Sequence, residues 1–209
     1  RGFIAAVLHI LPEEVVESTL LPTHLRTRYE EDKLGILDVR VLLNNKEQID
    51  IEIQVTSSEY WAERTLFYLG KMFVDQLKPG EDYQKLEKCI HVGILNFTLF
   101  DDEEYYSRFH FWSDQGRKMY SDKFEIHTLE LPKLAKHEYP ETELLKWLQF
   151  INAETKEEFE MAAEKSEYIK KAYEDLNRIS ADEEKRLEYE ARERAIRDHQ
   201  YFSTVYKET

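Results

Sequence analysis

Acidic and amide side chains interrupt the apolar runs of one short segment, GILDVRVLLNNKEQIDIEIQV, residues 35–55. The residues concerned are Asp38, Asp50, Glu52 and Gln54. The flanking Val, Leu and Ile predict two strands, and the central Asn-Asn pair predicts a tight turn between them. Because divalent cations such as Mg²⁺ prefer oxygen ligands, carboxylates in this setting predict metal chemistry on a β-hairpin.

The register of this hairpin follows from its alternating pattern, since strand side chains point to opposite faces in turn. The apolar face carries Leu37, Val39, Val41 and Leu43 in one strand and Ile49, Ile51, Ile53 and Val55 in the other. Aligning these faces places Leu42 opposite Gln48, because a slip by one residue would oppose core and polar positions. The facing polar pairs are then Arg40 with Asp50, which can form an ion pair, and Asp38 with Glu52.

We expect Asp38 and Glu52 to hold a divalent cation. Directly opposed residues have Cβ atoms roughly 5 Å apart, and like charges there are destabilising. Mg²⁺, or Mn²⁺ in its place, would offset the repulsion and also bind substrate phosphates. Gln54 lies on the same face and could contact the attacking water or the phosphate. The residues alone leave a second interpretation open, in which this is the polar face of a half-exposed hairpin.

The residues after the hairpin predict a helix from a cap at Ser57 or Ser58 to about Leu77. One face carries Tyr60, Arg64, Tyr68 and Lys71, and the face expected to meet the core carries Ala62, Leu66, Leu69 and Phe73. We expect Arg64 to reach a phosphate and Tyr68 to lie beside it, as substrate-binding residues. The alternative for Arg64 is a surface side chain that packs its aliphatic part and keeps its charge in water.

The rest of the chain predicts further strands, followed by a helical extension. Beyond the hairpin, strands are predicted at 89–97, 105–113 and 124–131, and early helices at 3–10 and 12–20. After Pro140 the spacing is helical, at 141–151, 155–178 and 181–199, the last opened by a capping box at Ser180 and Glu183. We therefore expect one domain over 1–140 and a helical extension over 141–209.

Composition limits the function classes. The chain of 209 residues is large enough to bury a core, and its single cysteine, Cys89, indicates a reducing, cytoplasmic setting. The opening apolar run of about ten residues is too short to span a membrane, so we expect a core helix. A net charge of −14 argues against tight nonspecific binding of nucleic acid, except where bound cations neutralise the carboxylates.

Other catalytic patterns are missing from the sequence. It contains neither a glycine-rich phosphate loop nor a G-x-S-x-G elbow, and its seven histidines lack zinc-site spacing. The run DDEE at 101–104 is expected to be an exposed turn, since consecutive strand residues cannot all face one ion.

Several blocks together resemble a known superfamily. The sequence LDV…IDIEIQV is similar to the D…E-x-Q core of PD-(D/E)XK nucleases, and more narrowly to recombination-promoting nucleases and putative transposases, in which Gln replaces the usual Lys. The similarity extends over DKLGILDVRV, the block ERTLFYLGKMFVDQLKPGEDYQKLEKCIHVGILNFTLF, IHTLELPKL and ISADEEKRLEYEARERAIRD.

This resemblance implies an α/β fold with a mixed sheet flanked by helices, a restriction-endonuclease-like core. It also implies Mg²⁺- or Mn²⁺-dependent endonuclease cleavage of DNA in recombination or transposition. Carried over by position, Asp38 and Glu52 are metal ligands, and Gln54 completes the catalytic set. The acid that often precedes such a site is expected upstream of residue 1, or at Glu13, Glu14, Glu17 or Glu31.

Two alternatives stay open. The first is a nuclease-fold binding module without catalysis, since glutamine offers only a dipole where lysine offers charge. The second, a DDE transposase, fits less well because its acids lie on more widely separated strands. DNA is the expected partner and no membrane is expected. We also expect the helical extension to pack on the domain or on a second copy, as a homodimer.

Overall fold

The computed structural model describes residues 1–23 and 38–181. The strands are β1 (Ser18–Leu21), β2 (Val39–Leu43), β3 (Glu47–Gln54), β4 (Cys89–Leu95), β5 (Tyr106–Trp112) and β6 (Met119–Glu130). The α-helices are α1 (Gly2–Leu8), α2 (Trp61–Val74), α3 (Glu143–Ile151), α4 (Lys156–Ala163) and α5 (Glu167–Ala181). The strands form one mixed sheet in the order β1-β2-β3-β4-β6-β5, which confirms the predicted α/β class.

The β2–β3 hairpin forms in the predicted register. Val39 lies opposite Ile51, and Leu42 lies opposite Gln48. The turn residues Asn44 and Asn45 have φ angles of 49° and 58°, the left-handed conformation that asparagine tolerates. β3 then pairs in parallel with β4, and β4 pairs in parallel with β6. Strand β3, which carries Asp50, Glu52 and Gln54, therefore lies inside the sheet.

Helices cover both faces of this sheet. Tyr68, Leu69 and Met72 of α2 pack with Cys89 of β4, on the face that also carries Glu52. α1 lies against the opposite face, where Ile4 and Val7 meet β3 and β4. β4 is buried along its whole length, which explains its nearly continuous apolar sequence CIHVGIL.

The helix predicted at residues 12–20 is wrong. Only a short 3₁₀ turn forms, at Pro12–Glu14, and the residues after it make strand β1. β1 pairs antiparallel with β2, Ser18 opposite Leu43. Pairing with this edge of the sheet satisfies the backbone of a segment rich in β-branched residues, and it overrides the helical spacing. The helix predicted at 3–10 is confirmed as α1.

The orientation of α2 also differs from the prediction. The helix begins at Trp61 rather than at a serine cap, although Oγ of Ser58 accepts a hydrogen bond from the backbone of Tyr60 at 3.4 Å. Its buried residues are Trp61, Thr65, Tyr68, Leu69 and Met72, whereas Ala62 and Leu66, both expected in the core, are exposed. The tryptophan is the largest apolar side chain of the helix. Burying it shifts the buried face of α2 by one residue position from the predicted face.

A buried lysine fixes the loop between β4 and β5. Nζ of Lys133, 2% exposed, lies 2.6 Å from Oδ1 of Asp102 and 3.1 Å from Oε1 of Glu130. The other oxygen of Glu130 accepts hydrogen bonds from the backbone of Leu99 and Phe100. The DDEE run is exposed, as predicted, and Glu130 and Lys133 fix it in place.

The chain divides into two compact units, 1–144 and 145–209. The sequence-based boundary after residue 140 stays a prediction, because compactness alone does not define a domain. In the second unit the single helix predicted at 155–178 is wrong, since α4 ends at Ala163 and α5 starts at Glu167. The rings of Phe159 and Tyr173 stack with centroids 6.1 Å apart. In one continuous helix they would be about 21 Å apart, so the break permits this stacking.

Ser180 is not a helix cap, because α5 continues through Ala181. Most of the helix predicted at 181–199, and the segment 24–37, lie outside the described residues. Among the residues that the structure describes, no helix is long and apolar enough to cross a membrane.

Candidate active site

Glu52 lies near the end of β3 and is 2% exposed. Its Oε1 lies 2.5 Å from Nη2 of Arg64, which extends from α2 and keeps 43% of its side chain exposed. The guanidinium also lies over the ring of Tyr68, 5.1 Å from the centroid. Burial raises the pKa of Glu52, although Arg64 opposes the shift. The charged carboxylate is therefore only partly compensated by its arginine.

Asp50 and His91 form a second buried pair beside Glu52. Nδ1 of His91 lies 2.8 Å from Oδ2 of Asp50, and both residues are at most 1% exposed. Parallel pairing of β3 with β4 sets this contact, because it places Asp50 directly beside His91. Oγ1 of Thr65 lies 3.5 Å from the other ring nitrogen.

The ion pair predicted between Arg40 and Asp50 is wrong. The two residues are opposed as expected, but Nη2 of Arg40 donates to Oε1 of Gln48 at 2.6 Å. Asp50 turns toward β4 instead, where the buried imidazole of His91 is available. The sequence of the hairpin alone does not indicate that β4 is the other neighbour of β3.

Within residues 1–23 and 38–181, two buried carboxylate oxygens of this site have no hydrogen-bond partner. They are Oδ1 of Asp50 and Oε2 of Glu52. One ligand atom each from Asp50, Glu52 and His91 lies within 4.8 Å of the other two. Divalent cations bind oxygen and nitrogen at about 2.0–2.3 Å, so any two ligand atoms of one ion are at most about twice that length apart and most pairs are closer. The three residues therefore fit a divalent cation after small shifts.

Asp38 lies on the other side of Glu52. Its Oδ2 accepts a hydrogen bond from the backbone N–H of Ile53 at 3.1 Å, which fixes the carboxylate beside β3. Its charge contributes to the raised pKa of Glu52, after burial and behind the nearer groups. The hairpin thus brings Asp38 into electrostatic range of Glu52, with β2 and β4 supplying groups from opposite sides of β3.

A family model matches almost the whole chain. The model describes a PD-(D/E)XK nuclease family transposase and covers residues 1–204. The chain belongs to this family. Neither a curated protein nor a solved structure matches it. Membership supports a nuclease or transposition role, and nucleases of this kind typically use divalent metals.

Gln54 stands where many PD-(D/E)XK nucleases have lysine. Its Nε2 donates to the backbone carbonyl of Thr56 at 2.9 Å, so the amide is directed along its own strand rather than toward Glu52. The structure thus brings Glu52, Arg64 and Tyr68 into contact. Gln54 would have to turn to join them.

Two of the acids considered for the upstream position, Glu14 and Glu17, lie far from Glu52. The backbone carbonyl of Glu14 and the side chain of Glu17 bind the hairpin turn at Asn44 and Asn45. That turn is at the opposite end of β3 from Glu52, about 17 Å away at 3.3 Å per residue. Glu31 lies outside the described residues.

Sequence reasoning missed His91 and assigned Asp50 to the wrong partner. A weak signal existed, because His91 is a polar residue inside the apolar run CIHVGIL. Such a residue in a central strand needs a buried partner. Identifying that partner required the β3–β4 register, which depends on the intervening helix α2.

Proposed function

We propose that this chain is a metal-dependent DNA endonuclease that hydrolyses phosphodiester bonds in recombination or transposition. The observation that carries the proposal is the state of Glu52. The carboxylate is buried, one oxygen contacts a half-exposed arginine, and the other has no hydrogen-bond partner in the part of the chain that the structure describes. Burying a carboxylate that is only partly compensated is unfavourable. A bound divalent cation, which nucleases of this family typically use, would explain why Glu52 is buried.

Asp38 and Glu52 would hold Mg²⁺ or Mn²⁺. Such an ion, when bound, polarises a phosphate and lowers the pKa of a water molecule. The chain supplies the remaining functions. Arg64 exchanges Glu52 for a phosphate oxygen of the DNA, Tyr68 supports the guanidinium from below, and Gln54 orients the water through its amide.

The exchange at Arg64 follows from charge balance. In the free protein its guanidinium compensates Glu52. With a cation held by Glu52, Arg64 would no longer be needed to compensate that carboxylate and could leave it. An incoming phosphate then offers it two oxygens in the fork geometry that guanidinium groups prefer. Metal and DNA thereby cooperate in binding, although the protein has a net charge of −14.

Cleavage of supercoiled plasmid DNA tests the proposal. We expect nicking with Mg²⁺ or Mn²⁺ and none with a chelator. Asp38→Ala and Glu52→Gln should each lower the rate at least about 100-fold, which corresponds to about 2.7 kcal/mol. Asp114→Asn, an exposed acid in the β5–β6 turn, should cleave like the wild type. Intact plasmid across several divalent metals would refute catalysis, and an Asp38→Ala protein as active as the wild type would refute the role of Asp38.

The alternative, a nuclease-fold binding module without catalysis, has two observations in its favour. Arg64 is bound to Glu52, and the Gln54 amide is bound to Thr56. Calorimetry on wild type and Glu52→Gln separates the two functions, since only an enzyme needs the ion. A chain that binds DNA but no divalent metal would be such a module. The homodimer and the cytoplasmic location stay predictions.

A further inference from the structure

We propose that Asp50, Glu52 and His91 bind a divalent transition-metal ion, with His91 as a nitrogen ligand. We call these three residues the inner site. It deepens the proposed function and rests on it, because Glu52 is shared with the hairpin position next to Asp38. Imidazole suits transition metals such as Fe, Ni, Cu and Zn, for which Mn²⁺ is the paramagnetic probe in the test below, whereas Mg²⁺ prefers an all-oxygen shell that keeps several waters.

The topology separates the inner site from Asp38. Strand β3 lies between β2 and β4, so Asp38 approaches Glu52 from one side and His91 from the other. Glu52 is directly beside Gly93 of β4, and Asp50 is directly beside His91. Strand side chains two residues apart point to the same face, so Asp50 and Glu52 of β3 share a face with their neighbour His91 of β4. This is the face that α2 covers.

Burial and unpartnered atoms argue for a ligand there. All three residues are at most 2% exposed. Oδ1 of Asp50 and Oε2 of Glu52 are shielded from solvent without a hydrogen bond, and the ligand atoms of the three residues lie within 4.8 Å of each other. Buried charged oxygens that lack a partner are strongly disfavoured, and a cation between them removes that penalty.

Another buried glutamate of the sheet, Glu125, has both carboxylate oxygens compensated by protein side chains. Glu125, 0% exposed, has Arg108 and His127 within 2.9 Å of one carboxylate oxygen. Lys88 and His110 lie within 3.2 Å of the other oxygen. Both oxygens are thus satisfied by side chains of the protein. In the inner site, Arg64 contacts one oxygen of Glu52 and His91 contacts one oxygen of Asp50, and among the described residues nothing hydrogen-bonds the other two oxygens.

Space beside His91 is maintained by Gly93. A Cβ atom there would lie 2.6 Å from Trp61 and 3.4 Å from Nε2 of His91. Trp61 closes the site from α2, with its ring centroid 5.6 Å from that of His91. Nδ1 of His91 and Oδ2 of Asp50 already lie 2.8 Å apart, and an ion bound by both residues would replace the hydrogen bond between them.

Pulsed electron paramagnetic resonance on the metal-free full chain loaded with one equivalent of Mn²⁺ tests the inner site. We expect the spin-echo modulation of a directly bound nitrogen. It should be lost in His91→Gln and kept in His127→Gln, a matched buried histidine that also contacts a carboxylate. His91→Gln should also weaken Mn²⁺ binding about 10- to 100-fold in calorimetry, and Mg²⁺ binding much less.

Bound Mn²⁺ without nitrogen coupling, coupling that persists in His91→Gln, or no Mn²⁺ binding would each overturn the inner site. If His91→Gln fails to fold, Asp50→Asn gives the second measurement, and it should weaken Mn²⁺ binding. Unchanged affinity would also overturn the site. Plasmid cleavage by a protein without nitrogen coupling would leave the proposed function standing. Coupling in a protein that leaves DNA intact would do the reverse.

Discussion

Glu52 and Glu125 are buried in the same sheet, yet their surroundings shift the two pKa values in opposite directions. Burial raises the pKa of Glu52, and its one close cation does not reverse the effect. Burial would also raise that of Glu125, but hydrogen bonds from His127 and Arg108 hold its pKa well below the usual range. The first glutamate therefore lacks positive charge that the second one has.

Arg64→Ala should separate metal binding from cleavage. Loss of the guanidinium removes the competitor for Glu52 and also the proposed phosphate contact. We therefore expect tighter Mn²⁺ binding in calorimetry, together with plasmid cleavage slowed about 10- to 100-fold, or about 1.4–2.7 kcal/mol. Circular dichroism should show an intact fold.

Arg108→Ala is the matched control for this arginine. Arg108 also contacts a buried glutamate and has a similar side-chain exposure, 39% against 43% for Arg64. It should leave Mn²⁺ affinity unchanged. Wild-type cleavage by a folded Arg64→Ala protein would remove that arginine from the site.

The opposite pKa shifts predict opposite effects on stability. A raised pKa means that ionised Glu52 lowers stability as pH rises through that pKa. Metal-free Glu52→Gln should therefore be at least as stable as wild type at pH 7, and any advantage should shrink below the ordinary value of 4.5.

Glu125→Gln should behave in the reverse way. The stability that Glu125 contributes is present above pH 4.5 and is lost as pH falls toward its lowered pKa. Loss of its charge leaves buried cations uncompensated and should cost about 3–5 kcal/mol at pH 7. Denaturant unfolding across the pH range measures both variants. Equal losses at pH 7 would contradict the account of Glu52.

At the scale of elements, α2 and β4 position the site through one close contact. Trp61 packs over Gly93, where a Cβ atom would lie 2.6 Å from the indole. This packing sets the rotation of α2, and the rotation brings Arg64 over Glu52. The glycine thus allows helix and strand to approach closely enough for the site to form.

Gly93→Ala should destabilise the protein and impair the site together. Overpacking costs about 1–3 kcal/mol, which would lower Tm by about 3–10 °C in a chain of this size. We expect cleavage to fall as α2 shifts. Gly70→Ala, in the middle of α2 with nothing within 4 Å of the added Cβ, should raise stability by about 0.5–1 kcal/mol. An unchanged Tm in Gly93→Ala would contradict the packing argument.

Local patterns predicted some elements and not others. The hairpin register followed from alternation and an Asn-Asn turn, because both are short-range properties. The rotation of α2 did not, since it depends on a glycine about thirty residues later in the chain. His91 was missed for the same reason, as its partner lies across a parallel pairing. The break after α4 depends on stacking between Phe159 and Tyr173, which no local propensity encodes.

At the scale of the whole molecule, a net charge of −14 makes DNA binding depend on bound cations. A cation bound at Glu52 would neutralise negative charge at the site where the DNA phosphate is expected to bind. Metal binding and DNA binding should therefore strengthen each other. The acidic surface elsewhere disfavours nonspecific contact. We therefore expect DNA to bind mainly at the metal-bound site.

Metal should stabilise the fold as a ligand does. At 100 times its dissociation constant a bound ion adds about 2.7 kcal/mol, or roughly 5–10 °C in Tm for a chain of this length. Differential scanning calorimetry with Mn²⁺ should show this increase in wild type and lose most of it in Glu52→Gln. An equal increase in both proteins would place the ion elsewhere.

The most direct test is anomalous diffraction from crystals soaked in Mn²⁺. The central claim is that Glu52 binds a divalent cation when Arg64 releases it. We predict an anomalous peak within about 2.5 Å of a Glu52 carboxylate oxygen, with the guanidinium moved away. A saturating soak that leaves Arg64 on Glu52, with no peak at that carboxylate, would contradict the claim.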